Sequence, residues 1–339
     1  MRPSNRPARS AGHHPRGGSH HPARVANADQ PSLTETGRQD VGSLLSAAGV
    51  RGRVPGVRSP AAAGAPLPPS DASTPPRPGG EKFAGKREVR LVALGGVPLV
   101  REGDDLCEII LTALARSGET MLSGDTVVLA QKIVSKAQGR YVELASVTPS
   151  SRALELAKVV EKDPRLIELI LGESSEVLRI RRDVVVVVHR LGFVMANAGI
   201  DFSNAEANEG DTRVLLLPSD PDGECERLRR ELQERTGARI GIIINDSHGR
   251  AWRNGSVGVA IGASGVPALL DLRGKPDLFG RALKITQVGL ADELATAASF
   301  VMGQADEGTP IVLVRGARFE GREGRAADLI RPKELDLFR

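Results

Sequence analysis

Several features that would identify a familiar class of protein are scarce or absent in this 339-residue sequence. It has two cysteines, Cys107 and Cys225, which match neither a metal-ligand spacing nor a disulfide framework. No apolar run approaches the ~20 residues that a membrane-spanning helix needs. We therefore expect a cytoplasmic protein with no membrane partner.

The sequence also lacks the two common phosphate-binding loops. There is no Gly-x-x-x-x-Gly-Lys-Ser/Thr segment, and no Gly-x-Gly-x-x-Gly segment lies between a predicted strand and a predicted helix. At the level of motifs, these absences exclude a P-loop protein and a Rossmann dinucleotide-binding protein. A nucleotide site in this chain must be built in another way.

The basic character of the chain belongs to its N-terminus. Residues 1–80 contain ten Arg, no Lys, four acidic residues, 13 of the 22 prolines and no aromatic residue, whereas residues 81–339 contain 36 basic and 38 acidic residues. Such a segment cannot bury enough apolar surface to offset its chain entropy. We predict a disordered tail over 1–82, with at most a weak helical turn near 43–48, and one folded domain over 83–339. An arginine-rich tail could contact RNA weakly, but we expect no nucleic-acid partner.

Strand and helix patterns alternate after residue 87, which is typical of an α/β or α+β protein. Valines dominate 184–188, a composition that favours a strand. The predicted strands are 89–93, 125–130, 184–188, 212–217, 239–244 and 310–314. The predicted helices are 104–116, 150–162, 164–171, 224–235 and 291–302. The stretch after 244, to about 280, is punctuated by glycine and has no predicted element.

Polar side chains follow two of the apolar segments. Asp201 and Asn204 follow the apolar stretch 193–198, and Asp246 and Ser247 follow the strand that is predicted to end at Ile244. Carboxylate, hydroxyl and amide oxygens suit a hard cation such as Mg²⁺ or Mn²⁺. The alternative is structural, because an Asp often begins an Asx turn or caps a helix.

Basic residues lie close to these groups in the sequence. Lys132 and Lys136 follow a predicted buried strand, where they could bind phosphate or could simply be solvated. Arg250 and Arg253 flank Trp252 beside Asp246. We predict that these two arginines are catalytic and face phosphate or an acidic substrate, although pairing with acidic side chains is the alternative.

Seven motifs, in order over about 88–338, carry a resemblance to one enzyme family. They are Gly96-Val-Pro-Leu-Val, Glu102-Gly-Asp-Asp-Leu, Gln131-Lys-Ile-Val-Ser-Lys-Ala-Gln-Gly-Arg140, Gly199-Ile-Asp-Phe-Ser-Asn, Asp246-Ser-His-Gly-Arg-Ala-Trp-Arg-Asn-Gly, Ala291-Asp-Glu-Leu-Ala and Met302-Gly-Gln. This set resembles the coenzyme F420-0:L-glutamate ligases, which are GTP-dependent γ-glutamyl ligases. The resemblance implies an unusual α/β fold in an intertwined homodimer, with GTP, L-glutamate and coenzyme F420-0 as substrates.

The resemblance also implies a set of ligand-binding residues. Asp201 and Asp246 match ligands of one divalent cation, and Ser247 and Gln304 match ligands of a second; the cations would be Mg²⁺ or Mn²⁺, with K⁺ as a further candidate. The positions that match the GTP site are Val97, Pro98, Leu99, Val100, Gln131, Lys136, Asn204, Met302, Gly303, Gln304, Ala305, Asp306, Glu307, Gly308 and Thr309.

The chain departs from the family pattern at several positions. Gln131 stands where the family often has Ser or Thr, Ser247 replaces a frequent Thr, and Gly258 stands where Asp is usual. Two other functions therefore stay open at this point. A two-metal phosphohydrolase could use the same oxygen ligands with water as the nucleophile, and an RNA-binding protein could act through the arginine-rich tail.

Overall fold

The computed structural model describes residues 87–201 and 213–337. The predicted tail, its helical turn near 43–48 and Asn204 lie outside these ranges. The described chain alternates between strands and helices, which confirms the mixed α/β class. None of the helices in the described ranges has both the length and the apolar character that crossing a membrane demands.

Twelve strands and six helices form the described part of the chain. The strands are β1 (Arg90–Ala93), β2 (Thr126–Ala130), β3 (Tyr141–Glu143), β4 (Ser174–Arg181), β5 (Val184–His189), β6 (Val194–Ala196), β7 (Arg213–Leu215), β8 (Gly241–Arg250), β9 (Arg253–Ser264), β10 (Leu269–Asp271), β11 (Gln287–Gly289) and β12 (Ile311–Arg315). The helices are α1 (Leu106–Arg116), α2 (Gln131–Ala137), α3 (Ser151–Val160), α4 (Pro164–Gly172), α5 (Pro221–Thr236) and α6 (Leu290–Met302).

A five-stranded sheet forms the centre of the domain, in the order β1-β12-β2-β8-β9. Its neighbours pair antiparallel, except that β2 and β8 run parallel. Successive side chains of a strand point to opposite faces. In β8, Ile242 and Ile244 accordingly pack into one core, whereas Ile243 packs into the other. Both faces are covered, which explains why these strands read as continuous apolar runs.

Helices cover the two faces of the sheet. One face packs against α1 and α5, and the opposite face packs against α6. The cap of α1 is Asp105, whose carboxylate accepts hydrogen bonds from the amides of Cys107 and Glu108. α5 has Pro221 at its start, and it ends at Gly237, which has a φ of 71°.

A smaller core lies beside the central sheet. The three-stranded sheet β4-β5-β6 packs with α3 and α4, and β3 pairs with β7. Buried residues such as Ile167, Val185 and Val187 join the helices to the strands. The predicted strands and helices all correspond to elements of the structure, with boundaries that shift by a few residues.

The prediction for the segment after Ile244 is wrong. β8 does not end there but continues through Asp246 and Ser247 to Arg250, and it pairs with the 12-residue strand β9. Hairpin pairing satisfies the backbone of this polar, glycine-rich sequence, so it needs no apolar alternation. The two polar residues therefore lie within a strand and do not end one.

Candidate active site

A cleft of about 770 Å³ brings together five separated segments of the chain. They are the loop after β1, the junction of β2 and α2, Asp201, the middle of β8, and the segment that joins α6 to β12. The residues that line the cleft are Val97–Val100, Ala130–Ile133, Lys136, Asp201, Asn245–Ser247 and Met302–Pro310. Among the described residues, every position predicted for nucleotide or metal binding lines this cleft, and Asn204 lies outside the described ranges.

The parallel pairing of β2 with β8 explains why these residues meet. Ala130, the last residue of β2, pairs with Asn245 of β8. The chain then turns into α2 at Gln131, whereas β8 continues with only β9 beside it. Carboxyl ends of parallel strands are a recurrent place for ligands in α/β proteins, because the chain leaves the sheet there.

Asp201 lies at the edge of the cleft with its backbone paired to Leu215. The two residues exchange amide-to-carbonyl hydrogen bonds of 2.9 Å each. The Asp201 side chain reaches Lys132, whose Nζ lies 3.0 Å from the carboxylate Oδ2. This contact joins α2 to the segment that precedes β7. It also places the ammonium group of Lys132 directly on a predicted metal ligand.

Asp246 is positioned by a histidine of its own strand. His248 lies two residues further along β8, and its Nε2 is 3.0 Å from Asp246 Oδ2. The imidazole is buried, and its edge packs against the ring of Phe193 at a centroid distance of 6.2 Å. Residues i and i+2 of a strand share a face, so His248 holds one oxygen of the Asp246 carboxylate while Oδ1 has no bond to it.

Ser247 and Gln304 lie in direct contact, although they are far apart in the sequence. The Ser247 hydroxyl donates to Gln304 Oε1 at 2.7 Å, and Gln304 Nε2 donates to the hydroxyl of Ser299 at 2.9 Å. The chain of bonds orients the Gln304 carbonyl oxygen towards Ser247. Adjacent oxygen ligands on a cation with bonds of about 2.1 Å lie about 3 Å apart, so this pair fits a shared divalent cation.

The segment after α6 forms one wall of the cleft and is closed by internal bonds. Thr309 Oγ1 donates to the carbonyl of Met302 at 3.0 Å. The amide of Ala305 donates to the Glu307 carboxylate at 2.8 Å, and this bond lowers the pKa of Glu307. Gly303 has a φ of 76°, and a Cβ there would collide with the Glu307 carboxylate. Glycine is therefore required at the point where the wall turns.

The base of the cleft is buried and polar. Gln131 is buried, and its Oε1 accepts a hydrogen bond of 3.0 Å from Ser135. Lys136 is also buried, one helical turn after Lys132, so both lysines share the face of α2 that lines the cleft. Two lysines beside two aspartates make the cleft suitable for anions and cations together.

Arg250 and Arg253 are not among the residues that line the cleft. They pair with each other next to the tip of the β8–β9 hairpin. Because β8 stays extended, Arg250 lies four residues, or roughly 13 Å, beyond Asp246. The continuous strand separates the two arginines from Asp246 and from the cleft within this chain, and their catalytic role stays a prediction.

Sequence reasoning missed three residues that support the cleft. They are His248 and Asn245 of β8 and Ser299 of α6. The amide oxygen of Asn245 is buried, and it has no hydrogen-bond partner among the described residues. Recognition of β8 as a long strand would have shown that Asp246 and His248 share a face.

A second cleft, of about 580 Å³, lies near the start of α5 and the end of β9. Its acidic side chains are bonded to the protein itself. Asp222 accepts hydrogen bonds from the amides of Ala263 and Ala326, and Glu226 accepts one from the Ser264 hydroxyl. These carboxylates join structural elements, so the larger cleft is the better candidate for chemistry.

Gly258 is the residue of β9 that faces Ser247, and it leaves no room for a side chain. A Cβ at this position would lie 2.6 Å from the carbonyl oxygen of Ala295 and 2.5 Å from Asn245 Oδ1. An aspartate, which the family resemblance implies at this position, therefore has no room in this packing. The close approach lets α6 lie directly on the hairpin beside the cleft.

We predict that Gly258→Ala lowers the free energy of unfolding by about 1–3 kcal/mol, because the backbone of α6 must move. The matched control is Gly249→Ala in β8, where a Cβ would meet nothing within 4 Å. Its effect should stay within about 0.5 kcal/mol. Urea denaturation of both variants measures the difference, and equal midpoints for the two would contradict the packing argument.

Comparison with known proteins identifies the family of this chain. The family model described as F420-0:Gamma-glutamyl ligase matches residues 96–316. A Coenzyme F420:L-glutamate ligase of Methanothermobacter thermautotrophicus is 48% identical over 253 residues, which is 74% of this chain and 99% of the relative. The protein of the same name from Methanopyrus kandleri is 49% identical over 252 residues, covering 72% of this chain and 96% of the relative.

A more distant relative shows the same coverage. The Coenzyme F420:L-glutamate ligase of Haloarcula marismortui is 38% identical over 257 residues, which is 74% of this chain and 96% of the relative. The match spans the loop after β1, the β2–α2 junction, the hairpin and α6, so it includes every wall of the cleft. This chain belongs to the F420-0:gamma-glutamyl ligase family and is a ligase enzyme.

Proposed function

We propose that this enzyme joins L-glutamate to coenzyme F420-0 and uses GTP to drive the reaction. The two substrates are those named in the relatives, the coenzyme F420:L-glutamate ligases, and in the family, the F420-0:gamma-glutamyl ligases. The choice of GTP follows from the family resemblance of the nucleotide-binding positions. Further γ-linked glutamates could be added by repetition of the same step.

The proposed reaction solves a chemical problem, because a carboxylate is a poor electrophile at neutral pH. The γ-phosphoryl group of GTP passes to a carboxylate oxygen of the acceptor, which forms an acyl phosphate and GDP. The amine nitrogen of L-glutamate then attacks the acyl carbon, the bond from that carbon to the phosphate oxygen breaks, and the amine loses a proton. The products are an amide, GDP and inorganic phosphate.

The observation that carries the proposal is the contact between Ser247 and Gln304 at 2.7 Å, in the cleft that also holds Asp201 and Asp246. All four side chains offer oxygen, the ligand atom that Mg²⁺ and Mn²⁺ prefer. We assign Asp201 and Asp246 to one divalent cation and Ser247 and Gln304 to a second. When bound, these cations supply neutralisation of charge on the transferring phosphoryl group.

The remaining walls are assigned to the nucleotide and the acidic substrates. Lys136 and Gln131 lie where phosphate groups would approach the cations, and an ammonium in a buried setting binds phosphate strongly. The segments 97–100 and 302–309 enclose the rest of the cleft. Main-chain amides and the Thr309 hydroxyl are the groups there that could orient a nucleotide.

An activity assay tests the reaction class. The enzyme is incubated with GTP, Mn²⁺, L-glutamate and coenzyme F420-0, and mass spectrometry is used to detect glutamyl adducts. We expect adducts and phosphate release only when both L-glutamate and coenzyme F420-0 are present, and a preference for GTP over ATP. Free phosphate release in the absence of glutamate and coenzyme F420-0 would instead identify a two-metal phosphohydrolase.

The two aspartates should be individually essential. We expect Asp201→Asn and Asp246→Asn each to reduce the rate by ~10³-fold or more, because a neutral amide replaces a charged ligand poorly. Metal-free stability should change by less than about 1 kcal/mol, since both carboxylates are only partly buried. The double variant should be scarcely slower than either single variant.

The matched control for these variants is Asp271→Asn, which removes an exposed carboxylate paired with Arg273 outside the cleft. Its rate should equal that of the unaltered enzyme. Rates and melting temperatures are measured on the same preparations. Normal rates combined with lowered melting temperatures for Asp201→Asn and Asp246→Asn would show that the carboxylates are structural.

We also propose that the enzyme acts as a homodimer. Large apolar side chains remain on its surface, including Trp252 at 88%, Ile285 at 86% and Phe300 at 87% exposure. Exposed apolar groups of this size are typical of protein interfaces. Sedimentation equilibrium should give a mass near twice 35.9 kDa. A mass near 35.9 kDa at assay concentrations would exclude the dimer.

A further inference from the structure

Lys132 is a lysine in direct contact with a proposed metal ligand. Its Nζ lies 3.0 Å from Asp201 Oδ2, and the two side chains are 30% and 25% exposed. Both residues line the cleft. Lys132 therefore neutralises the carboxylate at the position from which a divalent cation would be bound.

We propose that Lys132 is a built-in counter-ion of the first cation site, an inference that rests on the proposed function. The Lys132 ammonium pairs with the Asp201 carboxylate until a divalent cation binds. The ammonium then moves to the phosphate groups of the nucleotide. Lys132 would thus couple the binding of the cation to the binding of the nucleotide. It acts as a positioning residue through Asp201.

The geometry supports an exchange of partners. The Lys132 ammonium lies 3.0 Å from Asp201 Oδ2, so a divalent cation bound to this carboxylate lies about 4 Å from a like charge, and the repulsion favours movement of Lys132 away from Asp201. Partly exposed ion pairs are weak. Because Lys132 and Asp201 are both partly exposed, burial does not prevent their separation. The lysine side chain has a flexible four-carbon stem, so its ammonium can move several ångströms while the backbone of α2 stays in place.

The location of Lys132 on α2 supplies its second partner. It lies one helical turn before Lys136, on the face of the helix that lines the cleft. Phosphate groups bound near the proposed cations would therefore meet both ammonium groups. The positive charge of Lys132 thus exchanges one anionic partner, the Asp201 carboxylate, for another, a phosphate group of the nucleotide.

Such an exchange has a thermodynamic signature. A divalent cation alone competes with Lys132 for the Asp201 carboxylate and is repelled by its charge, which weakens the binding of the cation, whereas a nucleotide gives the ammonium a new partner. Each ligand then improves the binding of the other by the same factor. Without Lys132, the cation should bind more tightly on its own, and the nucleotide should bind more weakly.

Mn²⁺ binding, followed by electron paramagnetic resonance without any nucleotide, tests the first half of the inference. We expect Lys132→Gln to bind Mn²⁺ at least about threefold more tightly than the unaltered enzyme. Lys132→Arg should restore the weaker binding, because it keeps the charge. The matched control is Lys333→Gln, which removes a lysine paired with Glu176 at 2.9 Å outside the cleft and should leave Mn²⁺ binding unchanged.

GDP binding at a fixed Mn²⁺ concentration, measured by isothermal titration calorimetry, tests the second half. Lys132→Gln should weaken GDP binding at least about threefold, and the factor by which GDP tightens Mn²⁺ binding should shrink. Melting temperatures of all variants are measured first. Lys132→Met serves as a second neutral variant if Lys132→Gln is poorly folded.

Asp201→Asn separates this inference from the proposed function. Loss of Mn²⁺ binding in Asp201→Asn, with equal affinities for the unaltered enzyme and Lys132→Gln, would overturn the role of Lys132 and leave the cation site standing. If Mn²⁺ binds all variants alike, Asp201→Asn included, the assignment of Asp201 as a ligand fails together with the inference. Tighter binding in Lys132→Gln that disappears in the Asp201→Asn background supports both.

Discussion

The candidate active site depends on one constraint, the parallel pairing of two strands of unequal length. β2 and β8 run together from Thr126 and Gly241 to Ala130 and Asn245. Beyond that pair, β2 gives way to a helix and β8 continues as half of a hairpin. The edge exposed by this difference is where the lysines of α2 come close to Asp246 and Ser247. A β8 that ended with β2 would leave these oxygens on a loop without a fixed direction.

The proposed metal ligands in the cleft each have a hydrogen-bonding or charged partner within the protein. Asp201 is paired with Lys132, Asp246 with His248, and Ser247 with the neutral Gln304. Partly buried carboxylates without such partners would be costly to desolvate. The partners differ in kind, because His248 is buried and held by Phe193, whereas Lys132 is partly exposed. His248 therefore fixes the Asp246 carboxylate in place, whereas Lys132 can leave Asp201 for another partner.

Much of the fold follows from local sequence patterns. The valine run in β5, the Pro at the start of α4 and the apolar spacing in α1 each have a local physical cause, and each predicted the right element. The site residues themselves were accessible through motifs. The segments around Val97, Gln131, Asp246 and Gln304 were grouped by the family resemblance, and the structure places them in one cleft.

What local patterns could not predict depends on long-range pairing. The polar and glycine-rich sequence of β8 and β9 has the composition of a loop, and only the pairing between the two strands makes it a hairpin. The distance along β8 that separates Arg250 from Asp246 follows from this pairing. The contact between Lys132 and Asp201 joins residues 69 positions apart, and no periodicity in either segment indicates it.

Helix α6 shows how the second wall of the cleft is held to the first. Three of its polar side chains reach towards the hairpin or the cleft at a spacing of four and then three residues, which places them on one face. Asp292 accepts from the amide of Ala260 at 2.9 Å, Thr296 donates to the carbonyl of Gly258 at 2.7 Å, and Ser299 accepts from Gln304. Burial raises the pKa of Asp292, and the Ala260 amide opposes that shift.

This row of contacts connects backbone position to ligand position. The first two bonds fix α6 along β9, and the third fixes Gln304, which begins the loop wall and contacts Ser247. Gly258 permits the arrangement because it alone gives the helix backbone a close approach at that point. A displacement of α6 would therefore move the Gln304 oxygen relative to the Ser247 hydroxyl. The spacing of the two proposed ligands of the second cation is thus determined by how closely a helix packs on a glycine of the neighbouring strand.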